Sequence, residues 1–149
     1  MSAKEETYKH ILVVQKNINK IIDELLNKAN QHDSPKLESP EVEIFEEYTS
    51  KLAGLTYGSK EYNEQLKEIE PALIHHYANT RHHPEGFLNG IKDMNLVDIL
   101  EMICDWFAAT KRHNDGNIRK SIAINQQRFG YSDELKQIFY NTVEFLEGK

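Results

Sequence analysis

Between Ile11 and Ala29, apolar residues return at every third or fourth position: Ile11, Val14, Ile18, Ile21, Leu25 and Ala29. A helix gathers such positions on one side, whereas a strand needs strict alternation. One long helix is therefore predicted from about Lys4 to Asn30, with this stripe buried. The same period returns down the chain. A second helix is predicted from about Pro40 to Ala53, capped by Ser39 and burying Val42, Phe45, Tyr48 and Leu52. Gly54 and the Tyr57-Gly58 pair end it, and Ser59 caps a third helix with Tyr62, Leu66, Ile69, Leu73 and His76 along one face. Pro71 is expected to kink or split that helix.

Pro84-Glu85 opens a short helix presenting Phe87 and Ile91 to the core, and Asn95 caps a fourth helix from about Leu96 to Arg112. Its stripe is Leu96, Ile99, Leu100, Ile103 and Phe107, and His113-Asn114-Asp115-Gly116 closes it. A fifth helix, about Asn117 to Phe129, precedes a sixth, about Ser132 to Leu146, that buries Leu135, Ile138, Phe139, Val143 and Leu146. No stretch alternates. The expected fold is all-α: a single-domain bundle of about six helices over residues 1–149.

Composition narrows the function. Hydrophobic residues at 39% and charged residues at 28% fit a soluble globular chain. A net charge of −6 argues against an extended nucleic-acid surface. The single cysteine, Cys104, lies in an apolar run and reads as a core residue in a reducing compartment. No run approaches the length of a membrane span, and MSAKEETYKH lacks the apolar segment of a signal peptide, so a cytoplasmic location is expected. A homo-oligomer is compatible with all of this.

The chemistry concentrates in the histidines. Four of the seven fall in ALIHHYANTRHHPEGFLNG, as His75-His76 and His82-His83. Imidazole is the commonest protein ligand for transition metals, so a metal site competes here with ordinary hydrogen-bonded histidines. Helical phase turns His76 inward with Ile69 and leaves His75 nearer the edge. His10 shares a face with Val14 and reads either as hydrogen-bonded packing or as an inward-pointing ligand. Adjacent His32 and Asp33 at a helix end can reach one ion together. Asp98, Glu101 and Asp105 form an acidic row. Asp105, set among Ile103, Cys104, Trp106 and Phe107, needs a metal or cationic partner.

The order His10, His32-Asp33, His75-His76, His82-His83, Asp105 resembles the HD-domain superfamily of metal-dependent phosphohydrolases. Lys36 falls where many members carry the lysine of HDxGK, although Pro35 replaces the glycine. The run His82-His83-Pro84-Glu85 looks like the double-histidine segment of the cyclic-dinucleotide phosphodiesterase branch. Here the spacing from His76 to His82 is shorter, and that branch's Gly-Tyr-Pro signature is absent. The runs HHY, RHHPE and DWFAATKRH also look like those of a family of small bacterial and phage proteins, which brings no activity with it.

The superfamily resemblance implies one or two divalent ions of Mn, Fe, Co, Ni or Zn, which suit mixed nitrogen and carboxylate ligands. His32, Asp33 and Asp105, with His10 as a further candidate, are assigned to the first ion. His76, His82 and His83 are assigned to a second that shares Asp33. The expected activity is hydrolysis of a small phosphate ester, such as a nucleotide, by metal-activated water. Asp33 acts at the metal, while Lys36 and Arg81 hold phosphate, and Arg112 either reaches the same pocket or pairs with Asp105. Asn79, Lys111, His113 and Arg119 stand nearby, His113 as a general acid or as a helix-terminal cation. Tyr57, Tyr62 and Tyr77 stack on a base or simply pack. The competing expectation is a non-catalytic, metal-stabilised binding or regulatory module, such as a phage factor that binds a nucleotide or a host protein.

Overall fold

The computed structural model describes residues 1–55, 59–112, 114 and 116–149. Tyr57, Gly58, His113 and Asp115, which entered the readings above, lie outside them. The fold is all-helical, with six α-helices and no strand among the described residues. The chain forms two units, Met1–His32 and Asp33–Lys149.

The first unit is helix α1, Ala3–Gln31. Ser2 begins it with a capping box. Its hydroxyl accepts from the Glu5 amide at 3.3 Å, and its own amide donates to the Glu5 carboxylate at 2.6 Å. His32 is the C-cap. The predicted apolar stripe, Ile11, Val14, Ile18, Ile21, Leu25 and Ala29, falls within this one helix. Periodicity shows that a helix has one apolar face; it carries no information about what covers that face.

The second unit holds α2 (Glu41–Ala53), α3 (Lys60–Asn79), α4 (Leu96–Thr110), α5 (Ile118–Phe129) and α6 (Asp133–Leu146), with short 3-10 turns at Ser34–Leu37, Pro84–Gly86 and Gly90–Asp93. The caps follow local chemistry. Ser59, Asn95, Asn117 and Ser132 each accept from a first-turn amide of the helix they precede. At α2 the cap position falls on Pro40 rather than Ser39. Helix α3 runs unbroken through Pro71, contrary to the expected split. Pro71 lies on the exposed side of the helix.

Two regions of this unit differ in kind. Met94, Met102, Ile103, Ile118, Ile122, Tyr131, Phe139 and Val143 form the buried core of α4, α5 and α6, with Phe87 and Ile91 packed against it. Trp106 stacks on Phe129 and meets Phe139 edge-on, and the Tyr131 hydroxyl donates to the Ile122 carbonyl. Leu96, Ile138 and Leu146, predicted inside, are exposed, because each sits at the margin of its helix's apolar arc or at a helix end. Cys104 is exposed as well, not a core residue. The other region lies where α2 packs along α3 and the Ser34–Leu37 turn meets both. Its buried polar groups are Glu41, His76 and His82, beside the apolar Ile69 and Ala72 of α3.

Candidate metal centre

The second region begins at Asp33. Its φ of 55° is left-handed, a conformation that Asp tolerates better than most residues but one that costs free energy. It is the N-cap of the Ser34–Leu37 turn, and the Lys36 amide donates to its carbonyl at 2.9 Å. Lys36 Nζ also donates to Asp33 Oδ2 at 2.7 Å, and Oδ1 meets two imidazoles. His76 Nε2 and His82 Nε2 each stand 3.3 Å from Oδ1. His83 Nε2 lies 3.1 Å from His76 Nε2. Three imidazole nitrogens and one carboxylate oxygen therefore converge, all within 4.8 Å of one another.

Carboxylates hold the far sides of the rings. Glu41, fully buried at the start of α2, accepts from His76 Nδ1 at 2.9 Å and from His75 Nδ1 at 2.7 Å. Glu101, on α4, places Oε1 3.2 Å from His82 Nδ1. A proton held on Nδ1 toward a carboxylate leaves the Nε2 lone pair facing inward, the tautomer a metal ligand needs. Asp105, one turn beyond Glu101, lies beside His82 and offers it a carboxylate oxygen within 4.8 Å.

The electrostatics are those of a cation site. Burial alone lowers the His82 pKa, but Asp33, Glu101 and Asp105 outweigh it and raise the value to about 9. Burial, then the neighbouring His82 and His76, lower His83 to about 3. Burial acts to raise the Asp33 pKa, yet His76, His82 and Lys36 together hold it well below the usual carboxylate range. Two Nε2 lone pairs aimed at one carboxylate oxygen repel it unless a proton or a metal ion lies between them.

The donor set fits such an ion. A tetrahedral site with bonds of about 2.0–2.1 Å spaces its ligand atoms about 3.3–3.4 Å apart. Three of the six separations among the four donors are 3.1, 3.3 and 3.3 Å, and the rest lie within 4.8 Å. Mixed imidazole and carboxylate donors suit Zn, Co, Ni, Fe or Mn.

The other expected residues are placed as follows. His10 is exposed on α1, and His32 is half-buried at its end. His75 is 39% exposed and His76 1%, as helical phase indicates. Arg81 donates from Nε and Nη2 to the fully buried Asp98, at 3.0 and 2.8 Å, while its side chain stays 55% exposed. Arg112 is exposed just beyond α4. Arg119 pairs with Glu144 and Glu147, and Lys111 lies over the Phe107 ring. The His82-His83 segment is pinned from its far side, where Arg128 donates to Glu85 at 2.7 Å. Gly86 is needed close by, since a Cβ there overlaps the Tyr77 carbonyl oxygen.

Sequence reading missed Glu41 and the pairing roles of Glu101 and Asp98. Glu41 looks like an ordinary acidic first-turn residue. The acidic row on α4 was visible, but its partners were not.

Comparison with known proteins adds a family without an activity. A family model described as a family of unknown function, DUF5662, matches residues 1–147, and the chain belongs to that family. No curated protein and no solved structure matches the chain.

Proposed function

We propose that Asp33, His76, His82 and His83 bind one divalent transition-metal ion, and that the protein uses it to hydrolyse a small phosphate ester. The observation that carries this reading is the convergence of His76 Nε2 and His82 Nε2 on Asp33 Oδ1, with His83 Nε2 beside that of His76 and with Glu41 and Glu101 holding the outer nitrogens of His76 and His82. A bound ion supplies Lewis acidity, which polarises a phosphoryl oxygen and makes water a nucleophile near neutral pH. The chain's own groups do the rest. Lys36, 37% exposed and paired to Asp33, presents a cation beside the cluster for a non-bridging phosphate oxygen. Glu41 and Glu101 keep the imidazoles in register. The likeness of His32-Asp33 and Lys36 to the HD pattern supports phosphate as the substrate group, and a nucleotide is one member of that class.

One observation favours a second reading, a metal-stabilised module without turnover. His76 and His82 are each only 1% exposed, and four protein ligands leave no open position on a tetrahedral ion. The two readings separate in one experiment. Purified protein is assayed for bound metal, stripped with chelator and reloaded with Mn²⁺, Co²⁺ or Zn²⁺. It is then offered p-nitrophenyl phosphate, bis(p-nitrophenyl) phosphate and nucleoside monophosphates. The hydrolase reading expects about one ion per chain and a metal-dependent release of product that Asp33→Asn abolishes. Asn is the informative replacement, since it also tolerates the left-handed backbone. Metal that raises the melting temperature without turnover selects the second reading, and protein that takes up no metal sinks both.

A further inference from the structure

Neither helix nor strand holds His82. Residues 80–83 run between the end of α3 at Asn79 and the 3-10 turn at Pro84–Gly86, outside any regular element. A ligand on such a segment is only as well placed as the contacts that lock it, and it must sit within about 0.5 Å of its position to serve an ion. Arg81, the residue before it, supplies such a contact. Its Nε and Nη2 donate to the two oxygens of Asp98 at 3.0 and 2.8 Å, and two parallel bonds fix direction as well as distance. The guanidinium also lies 5.0 Å over the ring of Phe87, which packs against the apolar core.

Asp98 is a fixed anchor. It is fully buried in the first turn of α4, its Oδ2 accepts from the Asn95 amide at 3.1 Å, and its own amide donates to Asn95 Oδ1 at 3.0 Å. Glu101 stands three residues on, a neighbour on the same helix face. Its Oε1 is 3.2 Å from His82 Nδ1. Two consecutive residues of the segment thus meet two neighbouring carboxylates of one helix. We propose that Arg81 and Asp98 are positioning residues of the candidate metal centre: their pair sets the register of the segment on α4, which holds His82 against Glu101 and turns its Nε2 toward Asp33. The proposal rests on the metal-binding reading above. His76 is placed independently, by α3 and Glu41, and does not depend on the pair.

Two measurements on the full chain test this. Metal-free crystals of the unaltered protein and of Arg81→Ala show where His82 sits, and competition with a chromophoric chelator gives the Zn²⁺ affinity of each. Arg81→Ala is expected to carry His82 out of hydrogen-bond reach of Glu101 while His76 stays on Glu41, and to weaken Zn²⁺ binding about tenfold. Arg81→Lys, which restores the charge but not the fork, is expected to recover only part of that affinity. In a Glu101→Gln background Arg81→Ala is expected to cost less than in the unaltered protein, because the contact it protects is already weakened. Ile122→Val, which loosens the apolar core, is expected to leave the affinity unchanged and so separates positioning from general destabilisation. Should Arg81→Ala not fold, Arg81→Lys is the variant compared. His82 unmoved in the variant, an equal loss in both backgrounds, or the same loss from Ile122→Val overturns the proposal. Protein that takes up no Zn²⁺ sinks the metal reading, and the place of His82 in the two crystals then decides the positioning on its own.

Discussion

The core of α4, α5 and α6 and the cluster around Asp33 are both buried, but they hold together by different rules. Phe139, Ile122 and Val143 are buried side by side, and their free energy scales with the area removed from water. His76, His82 and Glu41 are equally hidden, yet each is stable only because a named atom of another faces it. A side chain removed from the first region leaves a hole. One removed from the second leaves a polar group with nothing opposite.

Three substitutions press on that contrast. The largest stability loss is expected from Phe139→Ala, which empties the middle of the apolar core. It should cost about 3–5 kcal/mol in urea unfolding, by the same amount with and without chelator. A loss that vanishes when metal is removed contradicts the separation of the two regions. Next comes Glu41→Ala, which takes the acceptor from both His75 and His76. Metal affinity measured by competition with a chromophoric chelator should fall about 10–100-fold, and Glu41→Gln, which keeps one acceptor oxygen, should recover part of it. Unchanged affinity in Glu41→Ala means that the carboxylate does not position His76. The smallest effect is expected from Asn95→Ala. Asn95 Oδ1 accepts from the Val97 and Asp98 amides at 2.9 and 3.0 Å, so losing this cap should cost about 1 kcal/mol. Because Asp98 also holds Arg81, a drop well above that figure, measured by the same unfolding titration, ties the cap to the Arg81–Asp98 pair.

The comparison also explains what was legible in advance. The α4–α6 core could be read from Ile103, Phe107, Phe139 and Val143, since apolar period is a local property of the chain. The inward turn of His76 was legible for the same reason, being a matter of helical phase from Ile69. Glu41 was not legible: it lies 35 positions before His76, and nothing in its neighbours marks it as buried. The pairing of Arg81 with Asp98, 17 residues on, was not legible either.

By itself the sequence determined the helices, most of their caps and the supply of imidazole and carboxylate groups. These depend on neighbours three or four residues away, which any reader of the chain can see. Which imidazoles meet and which carboxylate holds each one were decided only by tertiary structure. Those outcomes depend on where distant segments come to rest, and a buried charge is satisfied by whatever the fold brings within 3 Å of it.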